Sequence, residues 1–405
     1  MVDFSFNEEQ KLFQKSLRKW CQKELPLEKV REMDSKCEIP KQIIKGLADM
    51  NLLLMTVPQE HGGVEVDWIT ACIAAEELGY ADISIAVPVL FLVENSWGFV
   101  MDEYCSEQVR EEVIRKAIRG DAFIGIASTE SGGGSDVAAI KSTGRKEGDE
   151  WVLNGEKTYI SGTEEVKKMG GGYFLLARTA PLQPEVSHKG ITAFYLPINA
   201  QGVEVSKRFE EMGRMAISTG SITMENVKVP DNHRIGEEGK GFYLTMEGFD
   251  NARLLIGATC LGATQRALEL GMEYIKERKA FGSPIGKFEG IQFDLADLWA
   301  ELEALRSLVY RTAWMNDEKY KNKRFTPHEV SKYISAVKLK VPPFAFKAFE
   351  HVLLWLGAWG YTKECPVEMG LRGIMSYYIG AEGAINIQRI IIARELLGRD
   401  YIPYK

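Results

Sequence analysis

From residue 7 to about residue 121, apolar side chains recur three and four positions apart, as in FQKSLRKWC and IIKGLADMNLLL. That spacing puts them on one face of a helix. The stretch PQEHGG punctuates it with a proline and paired glycines. A helical N-terminal domain over 1–121 is predicted. From about residue 122 the period shortens to two. Trp151, Leu153, Thr158 and Ile160 alternate around Asn154–Gly155, which reads as a hairpin turn, and GITAFYLPI and TGSITMENVKV read as further strands. This predicts a β domain over 122–230. Beyond Pro230 the helical spacing returns in FDNARLLIGATCLGATQRALELGMEYIKER, after Gln292, and in INIQRIIIARELL, predicting a helical domain over 231–405. No internal repeat or low-complexity tract breaks the order α, β, α, so the chain reads as one α+β multidomain protein. Function is expected where the domains meet.

Composition narrows the possibilities. The 405 residues carry 45% hydrophobic and 26% charged side chains, and no apolar run approaches the roughly 18 residues that a membrane span needs. Membrane insertion is not expected. A formal charge of −7, with Lys and Arg interleaved among acids, offers no broad attraction for nucleic acid. Cys21, Cys37, Cys72, Cys105, Cys260 and Cys365 are scattered, without a CxxC pair or a nearby histidine set, so they read as reduced packing residues and not as a metal site. The opening MVDFSFNEEQ resembles neither a secretory signal nor a transit segment, and a cytoplasmic location is the expectation.

Four segments could carry chemistry. In Ser128-Thr129-Glu130-Ser131-Gly132-Gly133-Gly134-Ser135-Asp136, glycines would let backbone N–H groups approach a polar cofactor and hydroxyls would direct hydrogen bonds; a surface turn is the competing reading. In Gly380-Ala381-Glu382-Gly383-Ala384, Glu382 is the only charged residue between Gly373 and Gln388. Desolvation there would raise its pKa toward that of a general base, whereas a helix-end carboxylate would simply reach solvent. Glu277-Arg278-Lys279-Ala280-Phe281-Gly282 ends a long helix, where its cations either complement the helix C-terminus or grip a phosphate. Asp250 and Arg253 lie three apart, able to pair with each other or to hold a polar ligand. The five histidines form no HExxH or triad-like pattern.

The order and spacing of PQEHGG, ASTESGGGSD, LNGEKTYIS, ERKAFGSPIG, LGAWGY and AEGAINIQR over nearly the whole chain resemble the acyl-CoA dehydrogenase family. The resemblance implies a helical N-terminal domain, a middle β-barrel domain and a C-terminal four-helix bundle. It also implies assembly as a homotetramer, a dimer of dimers, with one FAD per subunit. By the same resemblance the loop around Ile126, Ala127, Ser128, Thr129 and Ser135 runs along the flavin, with Ser135 also near substrate. Tyr159, Ile160 and Ser161 stand at the flavin's other edge, Tyr159 where a tryptophan is common. Arg278 and Phe281 would reach a neighbouring subunit's FAD, and Gly357 its adenosine part. Asp250, Arg253 and Gly383 would line the acyl-CoA site, and Glu382 would be the base. The implied reaction is α,β-dehydrogenation of an acyl-CoA, as in β-oxidation: Glu382 takes the α-proton, the β-hydride goes to flavin N5, and electrons pass to an electron-transferring flavoprotein.

Several positions depart from that pattern. Ala381 replaces an aromatic beside the base, which implies room for a branched or cyclic acyl group. Ala252 occupies the alternative base position, which favours Glu382. Glu94 is either a lining of the acyl pocket or a surface carboxylate. Leu354 and Glu289 replace glutamines, Ala384 a threonine and Gly373 an aspartate, and the stretch from Arg372 to Glu382 is one residue longer, so altered FAD binding is expected. Rival readings are an oxidase or enoyl-CoA reductase, a flavin-poor binding or assembly subunit, and a CoA thioester binding or transfer protein.

Overall fold

The computed structural model describes residues 5–401. The N-terminal part is helical: α1 (Glu8–Glu24), α2 (Leu27–Lys36), α3 (Lys41–Asp49), α4 (Trp68–Ala81), α5 (Ala86–Tyr104), α6 (Glu107–Val109) and α7 (Arg115–Ile118). Asn7 and Gln10 close a reciprocal capping box at the start of α1, which satisfies donors that a bare helix end leaves unpaired.

The middle part is one eight-stranded sheet formed by β1 (Phe123–Ala127), β2 (Thr143–Glu147), β3 (Glu150–Ser161), β4 (Gly171–Arg178), β5 (Ile191–Pro197), β6 (Val203–Val205), β7 (Thr219–Pro230) and β8 (Arg234–Ile235). Its order is β6-β7-β3-β2-β4-β5-β8, with β1 pairing in parallel to β4. A short helix, α8 (Thr163–Met169), follows β3. One expectation fails here. Asn154–Gly155 is not a turn, because β3 runs straight through it, and the β2–β3 hairpin closes instead at Gly148, whose φ is +62°. A register shift between Leu153 and Gly155 absorbs the Asn-Gly pair as a bulge, and Gly155 takes a φ of +136° where an added Cβ would strike Ser142.

The C-terminal part comprises α9 (Gly241–Glu277), α10 (Glu289–Lys321), α11 (Pro327–Leu356), α12 (Pro366–Ile379) and α13 (Ile385–Leu397). Helix α9 packs against α4 and α5 of the N-terminal part and against α10 and α11 of its own. Close approach of α4 and α9 depends on Gly79 and Gly262, because a Cβ would lie 2.2 Å from Thr259 O at the first and 1.8 Å from Glu76 O at the second. The two helical parts therefore share a core. Among the described residues no helix is long and apolar enough to cross a membrane, and all six cysteines are free, four of them buried.

Candidate active site

Helix α12 ends at Ile379, and residues 380–384 turn the chain into α13. The turn is closed by Gly383 N–H donating to Gly380 O at 2.7 Å, and Gly383 takes a φ of +103°, a region that costs any residue with a Cβ. A Cβ there would also lie 3.1 Å from both Arg253 Nη2 and Gln388 Nε2. Glu382, half-buried in this turn, is fixed through its main chain, since Arg253 Nε donates to its carbonyl oxygen at 2.8 Å. Burial raises the Glu382 carboxyl above its ordinary value, while Arg253 first, then Arg214 and Lys338, pull it back. The solvent-reaching alternative for Glu382 is thus set aside.

Arg253 stands on α9, almost fully buried, with its Nη1 2.9 Å from Asp250 Oδ1 and its guanidinium 5.4 Å from the centre of the Phe249 ring. The expected Asp250–Arg253 pair exists, and Arg253 also grips the turn that carries Glu382. Ala252 is buried beside it, and Ala381 is partly buried against the core.

A second group gathers where the sheet meets α12. A cavity of about 390 Å³, within the range of small-molecule sites, is lined by Tyr159, Phe209, Arg214, Thr219, Met375 and Ile379 among others. Tyr159 lies at a register shift between Lys157 and Ile160, has a φ of +57°, and is 70% exposed. A left-handed aromatic residue costs of order 1–3 kcal/mol and signals a side chain aimed for a purpose. Arg214, buried and also left-handed at φ +50°, donates to Ser161 Oγ at 3.2 Å and Thr219 Oγ1 at 3.0 Å and pairs with Glu211 at 3.0 Å. Its Nε is buried, with no hydrogen-bond partner among the described residues. Arg372 ties the same corner together: it pairs with Glu368 on its own helix and with Asp34 on α2, and donates to Met212 O. The cavity therefore lies between the sheet and α12, and the N-terminal part reaches its edge through the Asp34–Arg372 pair.

The glycine-rich loop begins at the end of β1. Ser128 is buried, Thr129 O accepts from Thr158 N–H at 2.9 Å, and residues 131–136, including Ser135, are exposed. The loop is no loose turn at its root. Lys157 on β3, fully buried, donates to Glu130 Oε1 at 2.8 Å and Ser128 O at 3.3 Å, and the Glu130 carboxylate also accepts from the backbone N–H groups of Lys141 and Ser142. Burial lowers the Lys157 ammonium to about 8, with Glu130 opposing that fall. Ile126 and Ala127 lie in β1, Ile160 is buried in β3, and Thr158 N–H bonding to Thr129 O brings the two segments side by side.

Arg278, Phe281 and Gly357 do not join this group. Arg278 caps the end of α9, 25 residues beyond Arg253, which is about 37 Å along a helix rising 1.5 Å per residue. Phe281 is left-handed at φ +51° and 98% exposed. Tyr274 lines a surface hollow with Arg278 and stacks on Trp359, two residues from Gly357, so these residues form their own cluster at the far end of α9.

Of the unusual positions, Glu94 is not a surface carboxylate. It is buried on α5 and accepts a hydrogen bond from Ile124 N–H at 3.1 Å, while its other oxygen has no partner among the described residues. Burial drives its carboxyl well above the ordinary value, opposed only in part by the hydrogen bond from Ile124. Gly373 has a packing reason: a Cβ would lie 2.3 Å from Ser84 O, so an aspartate cannot fit where α12 crosses the entry to α5. Leu354 and Glu289 are exposed, and Ala384 caps the start of α13. Two residues of the site escaped the sequence reading, Arg214 and Lys338. Lys338, on α11, is fully buried and donates to Tyr377 O at 2.5 Å.

These residues fit a flavin: an exposed aromatic platform at Tyr159, an unpartnered guanidinium N–H at Arg214, a cavity between domains, and a hydroxyl-bearing loop anchored beside β3.

Comparison with known proteins bears on the family and the fold. The chain matches the acyl-CoA dehydrogenase N-terminal domain over residues 7–121, the middle domain over 125–227 and the C-terminal domain over 239–397. It is 33% identical over 395 residues to the mitochondrial short-chain specific acyl-CoA dehydrogenase of Mus musculus, covering 96% of this chain and 90% of that one. It is 31% identical over 397 residues to the 3-(aryl)acrylate reductase of Clostridium sporogenes, covering 97% and 99%. The solved butyryl-CoA dehydrogenase of Megasphaera elsdenii superposes with a TM-score of 0.89 at 27% identity, over 98% of this chain and all of that one. The chain belongs to the acyl-CoA dehydrogenase family of FAD-dependent oxidoreductases.

Proposed function

We propose that this protein is an acyl-CoA dehydrogenase that forms a trans-2-enoyl-CoA, with Glu382 as the base that removes the substrate's α-proton. The observation that carries this reading is Glu382 itself: a half-buried carboxyl of raised pKa, in a turn gripped by Arg253, three residues beyond Ile379 and within electrostatic reach of Arg214, both of which line the cavity. A raised pKa keeps such a base reactive near neutral pH. FAD, when bound, supplies the acceptor for the hydride that leaves the β-carbon. Tyr159, Arg214, Ser161 and the loop from Ile126 through Ser135 would hold it. The protein's own share of the chemistry is local. Glu382 would receive the proton, its backbone N–H would donate to the thioester oxygen, and Arg253, paired with Asp250, holds the turn that carries both. Exclusion of water strengthens each of these interactions.

The small side chain of Ala381 next to the base, with the likeness to an (aryl)acrylate reductase, favours a branched or ring-bearing acyl group. That likeness also favours a second reading, reduction of an enoyl thioester, in which Glu382 returns the proton. In the forward direction we assign the electrons to an electron-transferring flavoprotein. The separation of about 37 Å between Arg253 and Arg278 along α9 supports a role for Arg278, Phe281 and Gly357 outside this chain's own site, and we assign them to a neighbouring subunit's FAD in a homotetramer.

The test is anaerobic addition of short, branched, aromatic and cyclic acyl-CoA thioesters to the purified flavoprotein. One class is expected to bleach the flavin absorbance and yield a product two hydrogens lighter. A preparation that stays colourless after FAD addition, or a bound flavin that no thioester bleaches while an enoyl thioester reoxidises its reduced form, would overturn the dehydrogenase direction.

A further inference from the structure

The deepest charge near the base that this mechanism leaves unused is Lys338. It occupies α11 with no exposure, and among the described residues no carboxylate pairs with it. A buried ammonium without a counter-charge is costly, so its place demands a reason. Among the described residues its ammonium makes one hydrogen bond, to Tyr377 O at 2.5 Å. Tyr377 lies in the last turn of α12, where carbonyls have no donor within the helix. Ser376 O is served by the N–H groups of Gly380 and Ala381, and Tyr377 O by the lysine. A positive charge at a helix C-terminus also meets the negative end of the helix dipole. Five residues after Tyr377 comes Glu382, whose carbonyl is held by Arg253 from α9.

We propose that Lys338 is a positioning residue for Glu382: its ammonium pins the end of α12 from α11 while Arg253 pins the far side of the turn from α9, so two buried cations on two helices set where the carboxylate stands. This rests on the reading of Glu382 as the base. The groups facing Lys338 are Cys260 and Arg253 on α9 and Glu382 beyond α12, with the Tyr377 carbonyl on α12 itself. Burial lowers the ammonium to about 8, so it is charged at neutral pH and joins Arg253 and Arg214 in holding the Glu382 carboxyl down. A displaced base costs rate steeply, since a shift of about 1 Å at a reacting group is worth about 100-fold.

The test uses the flavin-loaded protein and the thioester that bleaches it, with Lys338→Met and Lys338→Gln. In the methionine variant, flavin bleaching in a single turnover is expected to slow by about 10- to 100-fold. Thioester affinity should change less than about threefold, and the midpoint of the pH–rate profile should move upward as a positive charge is lost. Lys338→Gln keeps a neutral donor, so it should recover part of the rate and keep the upward shift; it also carries the test if the methionine variant fails to fold. Wild-type rate and pH midpoint in whichever variant folds would overturn the proposal. A Glu382→Gln variant made alongside separates the two ideas: near-normal bleaching there sinks the base assignment, whereas loss there with unchanged Lys338 variants sinks the positioning role alone.

Discussion

Glu382→Gln is expected to slow flavin bleaching by the acyl-CoA substrate by about 10²- to 10⁴-fold, the usual contribution of a general base, while the flavin stays bound. Glutamine keeps the size of the side chain and the backbone contact with Arg253, which involves only the main-chain oxygen. It removes the proton acceptor alone. The same change should stabilise the fold at neutral pH. Because the folded-state pKa of Glu382 lies above its unfolded value, its contribution to stability is complete below about 4.5 and is lost as pH rises through the folded value. Above its raised folded-state pKa the wild-type protein therefore carries a half-buried charge that glutamine does not. A higher melting temperature with a slower reaction is the signature of a residue kept for chemistry at the expense of the fold. Bleaching within about tenfold of the wild-type rate, or a lower melting temperature at pH 7, would argue against the assignment.

Arg253→Met should have the largest effect on stability. The guanidinium is nearly all buried, and its loss leaves Asp250, itself only 15% exposed, without its partner and leaves the Glu382 carbonyl without a donor. Removing one member of a buried pair costs about 3–5 kcal/mol. Arg253 is also the strongest of the three cations that lower the Glu382 pKa, so without it the pH at which bleaching reaches half its maximum moves upward. Denaturant unfolding and a pH–rate profile measure the two effects. Destabilisation below about 1 kcal/mol with an unmoved midpoint would mean that Arg253 does not organise the turn.

The helical parts were legible because amphipathic spacing over long segments leaves few alternatives, and the α, β, α order follows from where the period changes. The misplaced turn has a plain physical cause. An Asn-Gly pair is a strong hairpin signal, yet a bulge can take up the same conformational freedom inside a strand, and only the pairing of β3 with β2 and β7 decides between them. Glu382 stood out as a lone charge among small and apolar neighbours. Lys338 did not, because two positions later stands Lys340, a solvent-exposed lysine of the same type. The distinguishing signal was phase: Lys338 falls in step with Ile334, Val341 and Ala345, all buried on one side of α11. Arg214 was hidden for another reason, since its role depends on a left-handed backbone and on partners from β3 and β7 that spacing along the chain does not relate. Gly373 read as a lost polar contact, and only the crossing of α12 over Ser84 shows that the position has no room for a side chain.

The most direct test of Glu382 as the base that opens the reaction is the rate of anaerobic flavin bleaching in a single turnover with a thioester deuterated at the α-carbon, measured beside the undeuterated compound. Proton removal by Glu382 predicts that deuterium slows bleaching several-fold and that Glu382→Gln abolishes the fast phase with either compound. Equal rates for the two thioesters, with a fast phase that survives in Glu382→Gln, would contradict it.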